Sequence, residues 1–137
     1  MAPDVGGVGG WREGGAAMHE GRRAGHPVEV GELPTLADSL GGGVGLQSRH
    51  TFAMVRDLVD EVVLLSEPEI AAGIHHCYWQ ERQVVEGSGG VGVAALLAGK
   101  VTLSGPTMLL LSGGNIDMRL HHRIISGEVV DVAREAA

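Results

Sequence analysis

Two short stretches place side chains capable of chemistry at the ends of apolar runs. Thr107-Met108-Leu109-Leu110-Leu111 stops at Ser112-Gly113-Gly114-Asn115, and Val84-Val85 stops at Glu86-Gly87-Ser88-Gly89-Gly90-Val91-Gly92. Each reads as a buried strand whose carboxyl end opens into backbone free to approach a ligand, the edge at which open α/β sheets bind. There the Ser112 hydroxyl can donate a hydrogen bond to a ring lying over the sheet edge, or accept one from it. It can equally cap its own backbone in an ordinary turn, and spacing does not separate the two readings. Glu86 directly follows two buried valines. Its carboxylate must reach solvent, a partner or a ligand, because an unpaired buried charge is costly. Two such edges amount to half of a ligand site.

Other motifs are weaker. Gly87 to Gly92 fits the G-x-G-x-x-G spacing of a dinucleotide site. That site also needs an acid about 20 residues further on to hold the ribose. Here the next strand ends in Leu111-Ser112-Gly113, and the first acid beyond it is Asp117. A simpler reading is that the glycines let helix and strand pack closely. Gly99-Lys100-Val101 resembles the tail of a phosphate loop, but Ala94 and Val101 stand where a glycine and a hydroxyl are required. Seven histidines raise a metal reading. His75-His76-Cys77 and His121-His122 are consecutive and so diverge around a helix. Asp117 and His121 share a helix face, yet two ligands do not make a site. Solvated helix faces, with no metal, are the expectation.

The elements that must position these residues follow from pattern. Residues 1–17 hold six glycines without apolar periodicity and read as an irregular entry segment. Met18–Ala24 reads as a short helix stopped by Gly25 and Pro27. Thr51 can cap a helix that places Phe52, Val55, Leu58 and Val59 on one face. Val62–Leu65 is a short, fully apolar run, hence a buried strand. Ser66 and Glu69 form a capping box with Pro68 in the first turn, starting a helix that should reach about Arg82. Val84–Val85 is the next strand, Ser88 to about Leu97 the next helix, and Thr107–Leu111 the last strand. Gly99 ends the second of these helices, which would leave Lys100 at a helix end away from the sheet edge. A final helix over 117–125 leaves an acidic tail. Strands alternating with helices indicate an α/β fold with a mostly parallel sheet.

Composition narrows the classes. The 137 residues allow at most one domain, with an aliphatic core because aromatics make up only 3%. A net charge of −7 excludes a basic footprint for nucleic acid. The lone Cys77 excludes an internal disulfide and suits a reducing compartment. No apolar run is long enough for a membrane span, and no signal peptide is visible. The expectation is a cytoplasmic protein with no nucleic-acid or membrane partner.

At these residues the chain resembles a known family. Val85-Glu86-Gly87-Ser88-Gly89-Gly90-Val91-Gly92-Val93-Ala94-Ala95 and Leu111-Ser112-Gly113-Gly114-Asn115 look like the C-terminal motifs of fold-type II (tryptophan synthase β-like) pyridoxal-phosphate enzymes. Within them, the threonine/serine dehydratases and serine racemases are the nearest group. Thr35-Leu36-Ala37-Asp38-Ser39 resembles the family's T-[IV]-A-D-G segment. Ala37 through Arg56-Asp57-Leu58-Val59-Asp60 is similar to the hydroxyectoine-utilisation dehydratase branch. The resemblance covers roughly residues 16–135. It divides the chain into an irregular or non-homologous segment, 1–17, and the C-terminal part of the large domain, 18–137.

The resemblance implies pyridoxal 5′-phosphate as cofactor and a small amino acid as substrate. Ser112 would bond the pyridine nitrogen. Glu86, Gly87 and Gly113 would pack beside the ring, and Ser39 would lie near its face. The implied reaction removes the β-hydroxyl of a hydroxy-amino acid, giving a 2-oxo acid and ammonia. The chain departs from the family in three ways. No segment matches the S-x-K-x-R-G motif that carries the Schiff-base lysine. Gly41-Gly42-Gly43 follows the T-x-A-D segment, where a phosphate loop would precede it. Gly10-Trp11-Arg12-Glu13 stands where cation-binding relatives carry a Glu-Pro step. The reading is therefore a segment of a dehydratase that holds no catalytic residue of its own and is inactive alone. It would be a homo-oligomer or depend on an N-terminal piece. The alternatives are a non-catalytic remnant or interaction module and a small dinucleotide-binding protein.

Overall fold

The computed structural model describes residues 5–135. In chain order it comprises β1 (Val8–Arg12), α1 (Ala17–Ala24), a 3-10 turn (Asp38–Leu40), α2 (Thr51–Leu58), β2 (Glu61–Leu65), α3 (Glu67–Trp79), α4 (Gly87–Leu97), α5 (Met118–Ile125) and α6 (Val132–Glu135). β1 and β2 pair in parallel, from Val8 opposite Glu61 to Arg12 opposite Leu65. α1, the 3-10 turn and α2 make the crossover between them. β1 corrects the expectation of an irregular segment over 1–17. Val8-Gly9-Gly10-Trp11-Arg12 lacks apolar alternation, and its strand form comes from pairing with the strongly apolar β2.

β2 alternates as a half-covered strand should, with Val63 and Leu65 buried. α3 opens as expected: Ser66 and Glu69 form the reciprocal capping box and Pro68 lies in the first turn. It closes at Trp79, three residues before Arg82. Arg82 takes a left-handed φ of 56°, and the Gln83 N–H returns to the Cys77 carbonyl at 2.9 Å. That bond, from a residue six positions further on, satisfies a terminal carbonyl and turns the chain back. At α2, Thr51 is the first helical residue and not the cap. Ser48 takes up the Phe52 N–H at 3.2 Å, and Leu58 stays exposed while Phe52 is buried.

α3 and α4 pack through small residues. A Cβ on Gly73 would lie 2.8 Å from the Ala94 Cβ and 3.0 Å from the Gly90 carbonyl oxygen. The helices therefore meet almost backbone to backbone. Around this contact gathers an aliphatic core that includes Leu65, Ile70, Ile74, Val85, Val93 and Ile124. α5 is capped by Asp117, whose Oδ1 accepts the N–H groups of Arg119 and Leu120, both at 2.9 Å. Those two bonds hold the Asp117 carboxyl below the usual carboxylate range.

Two expected strands need correction. Residues 84–85 and 107–111 are extended but pair in no sheet, since among the described residues the sheet holds β1 and β2 alone. The apolar run 107–111 predicts burial, yet Met108 is 90% and Leu110 77% exposed. An apolar strand is buried only when neighbouring strands cover its faces and take up its hydrogen bonds. None of the described residues does this for 107–111.

Candidate functional site

The two glycine-rich junctions come together although their strands do not pair. The Glu86 N–H donates to the Gly113 carbonyl at 3.0 Å. The Glu86 side chain folds over Gly113 so closely that a Cβ there would overlap its carboxylate. A Cβ on Gly89 would come within 2.6 Å of the Gly113 oxygen. Ser112, next in chain, is exposed. Glu86, Gly87, Gly113 and Ser112 thus form one continuous patch at the start of α4. Glu86 is the N-cap of α4 and makes no side-chain cap bond. The first-turn N–H groups therefore face this patch with their partial positive charge.

The loop carrying Ser39 reaches the same place. A Cβ on Gly87 would overlap the Leu36 carbonyl, and Leu36 and Ala37 are both buried. Glu67, the first residue of α3, holds this loop. Its carboxylate accepts the Thr35 hydroxyl at 2.5 Å and the Leu36 N–H at 2.7 Å. Ser39 itself is exposed in the 3-10 turn, its N–H bonded to the Asp38 carboxylate at 2.8 Å. Glu86, Gly87 and Gly113 thus meet at the amino end of α4, Ser112 adjoins Gly113 in the chain, and Ser39 lies in the loop whose Leu36 carbonyl touches Gly87.

The glycine spacing has a physical explanation that removes the dinucleotide reading. Gly87 and Gly89 face the backbone of Leu36 and Gly113, so they serve close packing and leave no open cradle for a pyrophosphate. The Ser88 hydroxyl is a residue that sequence reasoning missed. It is enclosed without a hydrogen-bond partner among the described residues. An unpartnered buried hydroxyl beside a candidate site is a signal that spacing alone cannot supply.

Lys100, the chain's single lysine, lies elsewhere and is fully engaged. Its Nζ donates to the Leu64 carbonyl and to Glu69 Oε2, each at 2.7 Å, with Glu13 at 3.8 Å. The expectation that it lies away from the sheet edge is corrected, because it folds onto the carboxyl ends of β1 and β2. Burial pushes the Glu69 carboxyl up, but hydrogen bonds from Lys100 and Ser66 outweigh this and leave it lowered.

The histidines are not all on solvated faces. His121 is 1% exposed, its ring edge-on to Tyr78 at 5.3 Å. Both ring nitrogens lack a partner among the described residues. Burial, with the neighbouring His122, holds its pKa below the usual histidine value. Among the described residues no three histidine, cysteine, aspartate or glutamate side chains come together to hold a metal ion. No helix there is long and apolar enough to cross a membrane.

Comparison with known proteins supplies the chemistry that fits this patch. The pyridoxal-phosphate dependent enzyme family matches residues 2–113. The chain is 57% identical over 116 residues to a provisionally named threonine dehydratase of Sinorhizobium fredii, covering 84% of this chain and 35% of that protein. It is 41% identical over 119 residues to an L-threonine ammonia-lyase of Geobacter sulfurreducens, covering 86% of this chain and 29% of that protein. Among solved structures, a threonine deaminase from T.th. superposes with a TM-score of 0.75 at 28% identity, over 85% of this chain and 42% of that one. The chain thus spans about a third of the length of the curated relatives it matches. Its fold is part of the fold-type II α/β domain. The cofactor of such enzymes is pyridoxal phosphate, and the polar group this patch offers it is the exposed Ser112 beside the start of α4. The chain belongs to the pyridoxal-phosphate dependent enzyme family.

Proposed function

We propose that this chain forms the pyridine-ring side of the cofactor site of a hydroxy-amino-acid dehydratase and corresponds to its C-terminal third. The observation that carries this reading is the convergence of the two glycine-rich junctions, where Glu86 bonds the Gly113 carbonyl and Ser112 is left exposed beside the start of α4. When bound, pyridoxal phosphate supplies an electron sink that eases loss of the substrate's β-hydroxyl. This chain's residues orient that group. The Ser112 hydroxyl would meet the pyridine nitrogen and, being neutral, would not protonate it. That favours elimination over reactions needing full charge delocalisation. Gly87 and Gly113 would shape the ring-side wall by letting the Leu36 carbonyl and the Glu86 side chain pack against them, Glu86 would border the ring's edge, and Ser39 would lie near its face.

Lys100 is committed to Leu64 and Glu69, so we assign the Schiff-base lysine to another part of the enzyme and expect this chain alone to be inactive. The expected products are a 2-oxo acid and ammonia. The likeness of residues 37–60 to the hydroxyectoine-utilisation branch supports a finer assignment to that branch. A cytoplasmic homo-oligomer fits the same reading. The exposed residues Met108 and Leu110 favour one alternative, a non-catalytic module that docks through this extended segment.

A chimera tests the reading. This chain replaces the matching 116 residues of the Sinorhizobium fredii relative, and 2-oxo acid is measured from L-threonine and L-serine. Activity that falls at least about a hundredfold with Ser112→Ala supports a ring-side role, a loss of the size seen for other positioned polar groups. A folded, cofactor-loaded chimera without activity overturns the dehydratase reading and favours the docking module.

A further inference from the structure

We propose that Arg12 is a positioning residue that locks the Ser39 loop onto the start of α4. Arg12 ends β1 and is only 1% exposed. A guanidinium so placed depends on partners within the fold, and its Nη groups find them while its Nε has none among the described residues. Its Nη1 donates to the Leu33 carbonyl at 3.1 Å, and its Nη2 lies 3.6 Å from Glu32 Oε2. The same Glu32 carboxylate accepts the Gly42 N–H at 2.5 Å. Gly15 and Gly41 border the guanidinium on two further sides. A Cβ on Gly15 would stand 3.1 Å from Nη2, and one on Gly41 3.4 Å. Gly15 also has a φ of +96°, so a side chain there would be strained as well as crowded.

One buried cation thus gathers loop segments 14–15, 32–33 and 41–42 at the carboxyl end of β1. Between the last two lies the Thr35-Leu36-Ala37-Asp38-Ser39 segment. Glu67 anchors the start of that segment from α3. Arg12 and Glu32 anchor its flanks. Leu36, held between the two anchors, rests its carbonyl on Gly87. A lysine could keep the charge, but it could not span both a carbonyl and a carboxylate with a planar fork. The functional meaning of this lock rests on the ring-side reading above; the lock itself rests on geometry alone.

Hydrogen–deuterium exchange of the full 137-residue chain, read by mass spectrometry, tests the lock. Arg12→Gly should speed exchange at the Leu36, Ala37, Gly41 and Gly42 amides by at least about tenfold, the signature of a local opening. Amides within α3 and α4 should change by less than about twofold. Low-millimolar guanidinium ion should restore protection in Arg12→Gly, and Arg12→Lys should not. Acceleration spread evenly over the chain, or no guanidinium rescue, would overturn the proposal. Should Arg12→Gly fail to fold, Glu32→Gln serves instead. It should release Gly41–Gly42 selectively, and unchanged exchange there overturns the lock. Affinity for 4′-deoxypyridoxine 5′-phosphate, which cannot bond to a lysine, is measured in parallel. Localised exchange with binding that weakens in Arg12→Gly supports both readings. Localised exchange with no binding by the native chain leaves the lock standing and counts against the ring-side reading.

Discussion

Replacing Gly87 with alanine drives a methyl group into the Leu36 carbonyl. The chain can respond in two ways. The loop can lift, which exposes the buried Leu36 side chain at a cost of about 2 kcal/mol. Lifting also breaks the Leu36 N–H bond to the Glu67 carboxylate, and a bond to a charged group contributes about 1.5–3 kcal/mol. Alternatively the loop stays and α4 shifts, an overpacking cost of about 1–3 kcal/mol. The cheaper response sets the outcome, and alanine's better helix propensity offsets up to about 1 kcal/mol of it. A net loss of about 1–2 kcal/mol remains. For a chain of this length each kcal/mol moves the midpoint by about 4 °C, so Tm should fall by about 4–8 °C. Thermal unfolding followed by circular dichroism at the helix band measures it. Gly31→Ala is the control, since a Cβ there meets nothing within 4 Å. If the two variants melt within about 2 °C of each other, the close contact between the Ser39 loop and α4 is refuted.

Three further outcomes follow from the same geometry. Lys100→Met removes two short bonds and leaves the Glu69 carboxylate without its cation. Urea unfolding should show a loss of about 1–3 kcal/mol, and an unchanged midpoint would contradict the assigned role. Asp117→Ala deletes the cap of α5 and should cost about 1 kcal/mol at neutral pH. Because the folded carboxyl is lowered, that difference should vanish as pH falls below the ordinary value of 3.8 and through the folded one. His121 gives a separate pH signature. Its folded pKa is depressed below 6.5, so on acidification the unfolded chain takes up the proton first. Stability should decline as pH drops below 6.5, and His121→Phe should flatten that decline; equal slopes would show that His121 is not the titrating group.

Much of the fold is legible in the sequence because local chemistry and tertiary contacts agree. The Ser66–Glu69 capping box, the apolar run of β2 and the Asp117 start of α5 are local signals, and each element stands where its residues place it. β1 is not legible, because Val8-Gly9-Gly10 has neither period nor propensity and takes its form from β2. Residues 107–111 mislead for the opposite reason. Their composition is that of a buried strand, but burial belongs to neighbours and not to the strand itself.

The site shows the same division. Glu86, Gly87, Ser112 and Gly113 are visible as strand-end residues, and the structure brings them together at α4. The enclosed Ser88 hydroxyl and the buried Arg12 are not visible, since neither type nor spacing reveals that a polar side chain will be sealed inside. Lys100 does follow a helix end, as its sequence context indicates, but its side chain folds onto the carboxyl ends of β1 and β2. Its carboxylate partner, Glu69, sits 31 residues away in sequence, a pairing that no local pattern encodes.

Contact between Ser112 and the pyridine nitrogen is the claim on which the ring-side reading stands. The most direct measurement is the ¹⁵N resonance of ring-labelled pyridoxal phosphate bound to the chimera described above. With Ser112 the resonance should sit at the unprotonated position, and with Ser112→Asp it should move to the protonated one. A resonance that ignores both Ser112→Asp and Ser112→Ala would place the ring nitrogen away from this residue and contradict the claim.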